Sequence, residues 1–178
     1  MFEVGKYEHG PATFADPDPR APQVAQFLID AIQQRDLRVA VDHIGSTAVA
    51  GCRGKGVIDL AVTYNAGDLE PAKAAVDALG FQKQTGRDPW PETRPMRVAS
   101  VSALGDSFLV HAHVIERNGP EHKMLIAFRD ALRRDSQLLT AYEKNKQEIL
   151  ARGITDSVEY SNAKDSFIAT ILSRRANP

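Results

Sequence analysis

The fold is decided by one stretch of sequence, Asp42-His43-Ile44-Gly45-Ser46-Thr47-Ala48-Val49-Ala50-Gly51, and by Val57-Ile58-Asp59-Leu60, which follows it. β-Branched residues predict a strand over residues 38–44, and Gly45 predicts a tight turn after it. Because glycine has no β-carbon, a phosphate can approach the backbone there. Ser46 and Thr47 begin a predicted helical turn, whose N–H groups and hydroxyls suit an anion.

The second part of the stretch predicts a buried strand over residues 57–64. Every residue from 57 to 62 is apolar apart from Asp59, which is typical of a strand covered on both faces. A carboxylate on such a strand, next to the phosphate-binding turn, can hold a divalent cation against the phosphates.

The segments on either side alternate between helix and strand patterns. Apolar residues at helical spacing predict a helix around residues 19–32 and another from Asp68 to Gly80. Residues 83–96 form a predicted long loop, and residues 97–103 and 107–116 form a predicted hairpin. Helices are expected from Glu121 onward, the last one from Ser161, whereas the first fifteen residues show no clear period.

This order of elements predicts an α+β fold, with a mixed β-sheet flanked by helices and a helical C-terminal region. The length of 178 residues is that of one ordinary domain. We therefore expect a single domain over residues 1–178, with its core at about residues 20–118 and its C-terminal helices at about residues 120–175.

Composition excludes several classes of function. The 22 Lys and Arg residues are balanced by 23 Asp and Glu residues, so there is no strong signal for nucleic-acid binding. The single cysteine, Cys52, can form neither an internal disulfide nor a cysteine-based zinc site. The sequence has no apolar signal core at its start and no apolar run of membrane-spanning length, so we expect a cytoplasmic protein without membrane contact.

The spacing of Gly45-Ser46 and Asp59 resembles the pattern of nucleotidyltransferase-fold enzymes, in which a glycine turn precedes an aspartate on a strand. The longer string around it, with Gly51 and Lys55, is similar to the signature block of the GrpB family. Three downstream segments match that family in the same order: His111-Ala112-His113-Val114, Phe128-Arg129-Asp130-Ala131-Leu132-Arg133, and Ala163-Lys164 with Phe167-Ile168. The resemblance covers roughly residues 20–172.

The resemblance implies a nucleotidyltransferase-like fold, and with it transfer of a nucleotidyl group from a nucleoside triphosphate to an unknown acceptor. Members of the GrpB family are sometimes fused to dephospho-coenzyme A kinase, and this implies a link to coenzyme A biosynthesis. The chain departs from the family at Ala50, where proline is usual, and at Lys55-Gly56, where Lys-Pro is usual. The loop between the glycine turn and Asp59 is therefore expected to be more flexible than the same loop in relatives.

The expected metal site is unusual for this fold. Active nucleotidyltransferases place a second carboxylate two residues after the first, where it shares a face of the strand, but this position is Ala61. His111 and His113 share one face of a later strand and can supply the missing ligands. We therefore predict Asp59, His111 and His113 as catalytic and metal-binding residues. Mg or Mn is expected for a transferase, while two imidazoles also suit Zn or another transition metal.

The predicted ligand is a nucleotide or another phosphorylated small molecule. Its candidate contacts are polar or glycine residues in the signature block and basic residues in the family motifs: His43, Gly45, Ser46, Thr47, Arg53, Lys55, Arg129 and Lys164. Each of these also has a structural alternative, such as a hydrogen bond that ties two segments together. Two other functions remain open, a non-catalytic module that binds nucleotides or phosphates and a metal-dependent hydrolase that uses the Asp and His residues.

Overall fold

The computed structural model describes residues 2–8, 10–85 and 88–176, and the side chains of all of these except 157 and 174–176. Its strands are β1 (Phe2–Gly5), β2 (Ala40–Ile44), β3 (Ile58–Tyr64), β4 (Gln82–Lys83), β5 (Met96–Ala103) and β6 (Asp106–Glu116). Its helices are α1 (Ala21–Arg35), α2 (Leu69–Asp77), α3 (Pro120–Arg134), α4 (Ser136–Ala151) and α5 (Ser157–Ala176).

The described strands form one mixed sheet in the order β1-β5-β6-β3-β2, with β4 paired to β5. The only parallel pair among them is β3 with β6. In this pair Asp59 lies opposite His111, and Ala61 lies opposite His113. On its other side, β3 runs antiparallel to β2, which places Asp59 opposite Ile44, the residue before the glycine turn. The register thus brings the glycine turn, the Asp59 carboxylate and the imidazoles of His111 and His113 close together near the start of β3.

The two faces of the sheet have different partners. One face packs its alternating apolar side chains against α1 and α2, and Leu28, Ile32, Leu60 and Val110 are fully buried there. On the opposite face, Ala61 packs with Ile44 and Ile115 beneath α3. Because side chains alternate along a strand, Asp59, His111 and His113 project on this second face.

Most of the predicted elements are confirmed, and so is the predicted α+β class. Gly45 ends β2 with φ +71°, and Leu104 and Gly105 form the hairpin turn, both with positive φ. Two predictions need correction. Residues 2–5, which show no clear sequence pattern, form an edge strand of the sheet through pairing with β5. The last helix begins at Ser157 rather than Ser161, because Asp156 accepts hydrogen bonds from the backbone N–H groups of Val158 and Glu159.

In the described part of the chain, no helix has both the length and the apolar character needed to cross a membrane.

Candidate functional site

The glycine turn brings its backbone directly against the side chain of Asp59. A β-carbon built on Gly45 would lie 3.0 Å from Asp59 Cβ and would overlap Asp59 Oδ2. Its φ of +71° is a second reason for glycine, since residues with a β-carbon rarely adopt this conformation. Gly45 therefore creates the space that the carboxylate occupies.

Asp59, His111 and His113 converge on one point. Asp59 Oδ1 lies 3.5 Å from His111 Nδ1 and 3.6 Å from His113 Nε2. One ligand atom from each of the three residues lies within 4.8 Å of the other two. The three side chains are 17–26% exposed, so the cluster is sheltered but can be reached by solvent. Two imidazole nitrogens and one carboxylate oxygen fit one transition-metal ion better than Mg²⁺, which prefers oxygen ligands.

Asp59 carries a negative charge in this setting. Burial raises the pKa of its carboxyl group, but hydrogen bonding and charge from His111 and His113 outweigh burial, so the pKa is well below its usual range. A carboxylate that stays ionised in a sheltered position is suited to binding a cation.

Two aromatic residues flank the histidines. Tyr7 Oη and His111 Nε2 share a hydrogen bond of 2.7 Å, which leaves His111 Nδ1 directed towards Asp59. The ring of Trp90 meets the ring of His113 edge to face at 5.8 Å. Arg94 stacks over Trp90 and pairs with Glu121 on α3. Both imidazoles are thus held by neighbours from outside the metal-ligand set.

A positively charged hollow opens beside this cluster. It has a volume of about 80 Å³, which suits several waters or one phosphate group rather than a whole nucleotide. Its walls come from the loop before β3, from β3 and β6, and from α4 and α5. The lining residues are Ser46, Lys55, Gly56, Val57, Asp59, His111, Lys146, Tyr160, Ser161 and Lys164.

Three of the predicted phosphate contacts lie in this wall: Ser46, Lys55 and Lys164. Burial lowers the pKa of both Lys55 and Lys164, while the charge of Asp59 acts in the opposite direction. Gly45 lies behind the Asp59 carboxylate. The turn and the carboxylate therefore share one hollow, with an imidazole of the His pair in its wall.

The other predicted phosphate contacts do not line the hollow. His43 Nε2 bonds to Thr47 Oγ1 at 2.9 Å, and that hydroxyl donates to the carbonyl of Val57. These bonds tie the turn to the start of β3. Arg53 pairs with Asp16, and Arg129 donates to the carbonyl of His43 and to Asp130. In this structure these four side chains support the loop and β2.

Sequence patterns did not identify Tyr7, Lys146, Tyr160 or Ser161. Tyr7 lies in a segment without a clear period, and it reaches His111 only because β1 pairs with β5. Lys146 did leave a signal, since it stands four residues after Tyr142 and three before Ile149, within the buried stripe of α4. A lysine in an apolar stripe points to a site or to a buried ion pair.

Comparison with known proteins agrees with this architecture. The GrpB protein family model matches residues 11–174. A UPF0157 protein of Streptomyces coelicolor is 32% identical over 136 residues, which are 76% of this chain and 68% of the relative. The crystal structure of the conserved protein GrpB from Enterococcus faecalis matches with a TM-score of 0.66 and 23% identity, over 91% of this chain and 96% of that chain.

The fold is also shared with Cid1, a poly(U) polymerase. Its structure in complex with its short product ApU matches with a TM-score of 0.52 and 15% identity, over 75% of this chain and 42% of Cid1. At this identity the likeness concerns the fold alone, and it confirms the predicted nucleotidyltransferase-like architecture. Because the GrpB family model matches residues 11–174, which are most of the sequence, this chain belongs to the GrpB family.

Proposed function

We propose that this chain is a metal-dependent nucleotidyltransferase that moves a nucleotidyl group from a nucleoside triphosphate to an acceptor. The observation that carries the proposal is the convergence of Asp59, His111 and His113 beside a hollow lined by lysines. The Cid1 poly(U) polymerase, which shares the fold, has been solved with Mg 3'-dATP bound.

The charge of the hollow favours phosphates. Lys55, Lys146 and Lys164 line it, and Asp59 is the one carboxylate among the described lining residues. The ammonium groups therefore outnumber the carboxylate, and their field attracts an anion into a partly enclosed space. Because the hollow is small, we place one phosphate group of the triphosphate inside it and the nucleoside outside.

In the proposed reaction an acceptor oxygen attacks the α-phosphorus of the triphosphate, and the bond to pyrophosphate breaks. Asp59, His111 and His113 would hold one divalent ion, which neutralises charge on the phosphate oxygens when it is bound. Lys55 and Lys164 reduce the repulsion between the phosphates and Asp59. Ser46 offers a hydroxyl to a phosphate oxygen at the turn.

Calorimetric titration of an Asp59→Asn variant tests the proposal. We expect the variant to keep the native circular dichroism spectrum but to lose metal-dependent binding of a nucleoside triphosphate, because it lacks the only anionic ligand of the cluster. Asp30→Asn, which changes an exposed carboxylate on α1, is the control and should bind as the wild type does. Unchanged binding by Asp59→Asn would refute the proposal.

A non-catalytic binding module is the second candidate, and Ala61 favours it. Because this residue is an alanine, completely buried beside Ile44 and Ile115, β3 carries no carboxylate besides Asp59. Such a module would be stabilised by nucleotide to the same extent with and without metal, and it would show no turnover.

A metal-dependent hydrolase is the third candidate, because two imidazoles and one carboxylate also hold the metal in hydrolytic zinc sites. In that case water takes the place of the acceptor. Elemental analysis of the purified protein would identify a tightly held zinc ion. Release of phosphate or pyrophosphate without any acceptor would separate hydrolysis from transfer.

A further inference from the structure

Tyr160 of α5 has a buried hydroxyl group without a hydrogen-bond partner among the described residues. The residue is 1% exposed, and its hydroxyl oxygen makes no hydrogen bond to the described residues. Burial raises the pKa of Tyr160 to about 12, so the hydroxyl is protonated at neutral pH and can donate. A buried donor without a partner is costly in free energy, and Tyr160 lies in the wall of the hollow.

Lys146 of α4 is a buried cation in the same wall. It is 1% exposed, and its ammonium group donates to the carbonyl of Arg53 and to Cys52 Sγ. Within residues 2–8, 10–85 and 88–176, no ion pair joins Lys146 to a carboxylate. Burial lowers the pKa of Lys146, as expected for a cation that lacks a full counter-charge. A buried charge of this kind is usually balanced by an anion.

Lys164 completes the group on α5. Its ammonium lies 4.8 Å from the centre of the Tyr160 ring. Burial lowers the pKa of Lys164 against the opposing charge of Asp59, and the charges of Lys146 and Lys55 lower it further. The hollow thus brings together a buried hydroxyl for which the described residues offer no acceptor and two ammonium groups, that of Lys146 without a carboxylate partner among them.

We propose that α4 and α5 form a subsite for one phosphate group, in which Lys146, Tyr160 and Lys164 donate to the phosphate oxygens without needing the metal. The inference deepens the proposed function and rests on its assignment of phosphates to this hollow. The size of the hollow fits a single tetrahedral group. The phosphate belongs either to the end of the donor triphosphate or to a phosphorylated acceptor.

Titration with inorganic phosphate in the presence of EDTA tests the subsite. We expect the wild type to bind phosphate, and Tyr160→Phe to bind it about tenfold more weakly, since a hydrogen bond to a charged group is lost. The unfolding temperature of Tyr160→Phe should stay equal or rise, because the hydroxyl has no partner to lose in the part of the chain that the structure describes. Lys164→Gln, on a partly exposed position, should weaken phosphate binding to a similar degree. Tyr64→Phe, on β3 outside the hollow, should leave the affinity for phosphate unchanged.

Competition identifies the source of the phosphate. If a nucleoside triphosphate displaces inorganic phosphate, the subsite holds the end of the donor. If both bind together, it holds a phosphate of the acceptor. Either result supports the subsite.

Two results would overturn the subsite. One is phosphate binding that requires metal, and the other is a Tyr160→Phe variant with a lowered unfolding temperature and unchanged phosphate affinity. The proposed function fails separately: if phosphate binds in EDTA but neither metal nor nucleoside triphosphate binds, the subsite stands and nucleotidyl transfer does not.

Discussion

Gly45, directly after β2, and Asp59 of β3 are neighbours in space, and the carboxylate fills the place where a β-carbon of residue 45 would be. That β-carbon would lie 3.0 Å from Asp59 Cβ and closer still to Oδ2, well inside van der Waals contact. The carboxylate cannot move away freely, because His111 and His113 contact its other oxygen. One missing β-carbon thus determines where the proposed metal ligand lies.

Gly45→Ala should therefore damage both stability and metal binding. The positive φ costs about 1 kcal/mol for alanine, and displacement of Asp59 adds to this, so we expect a loss of about 3 kcal/mol in the free energy of unfolding. Urea unfolding and metal titration measure the two effects.

Gly51→Ala is the matched control for this substitution. Gly51 has a similar φ of +76°, but apart from its own chain neighbours no heavy atom of the described residues lies within 4 Å of the place where its β-carbon would stand. It should lose about 1 kcal/mol and keep its metal affinity. Equal effects of the two substitutions would show that the contact with Asp59 is unimportant.

Tyr7→Phe should weaken metal binding without unfolding the protein. The Tyr7 hydroxyl bonds to His111 Nε2 and so keeps Nδ1 directed towards Asp59. Loss of a partner that orients a metal-binding histidine typically costs about 10- to 100-fold in affinity. Isothermal titration with Mn²⁺ or Zn²⁺ measures the change, and Tyr64→Phe serves as its control. A Tyr7→Phe protein with wild-type metal affinity would rule out this positioning role.

The metal preference should follow from the two imidazoles. We expect Zn²⁺ and Co²⁺ to bind more tightly than Mn²⁺, and Mg²⁺ to bind most weakly. His113→Asp replaces one nitrogen ligand with oxygen and should narrow the gap between Mg²⁺ and Zn²⁺. Competitive titration against a metal indicator gives the order for both proteins. Tighter binding of Mg²⁺ than of Zn²⁺ by the wild type would contradict the assigned ligand set.

His43 should make the protein less stable in acid. Burial, followed by the charges of Arg133 and Arg129, lowers its pKa from 6.5 to about 4 against the opposing charge of Asp59. As the pH falls from about 6.5 to about 4, His43 is protonated in the unfolded chain but stays neutral in the folded chain. The free energy of unfolding then decreases by up to about 3 kcal/mol over this interval.

His43→Gln should remove that part of the pH dependence, because glutamine does not titrate. Urea unfolding of both proteins at pH 7 and at pH 4.5 gives the comparison. If the variant loses as much stability in acid as the wild type does, His43 is not the responsible group.

Local patterns predicted most of the fold. The β-branched run before Gly45, the apolar run around Asp59 and the helical stripes are each set by neighbours within a few residues, so their periodicity could be interpreted directly. The edge strand at residues 2–5 could not be predicted in this way, because its four residues gain their structure from pairing with β5. The link to coenzyme A biosynthesis that the resemblance implied stays a prediction.

The sequence by itself determined that Asp59, His111 and His113 lie on strands, with His111 and His113 on one face of the same strand. It also determined that a glycine turn precedes them. Only the tertiary structure decided that β3 and β6 are parallel neighbours in a register that joins these three side chains. It also decided that α4 and α5 bring Lys146 and Tyr160 to the same hollow from about a hundred residues further along the chain. The physical reason is that strand pairing and helix packing are long-range contacts, which local sequence patterns do not specify.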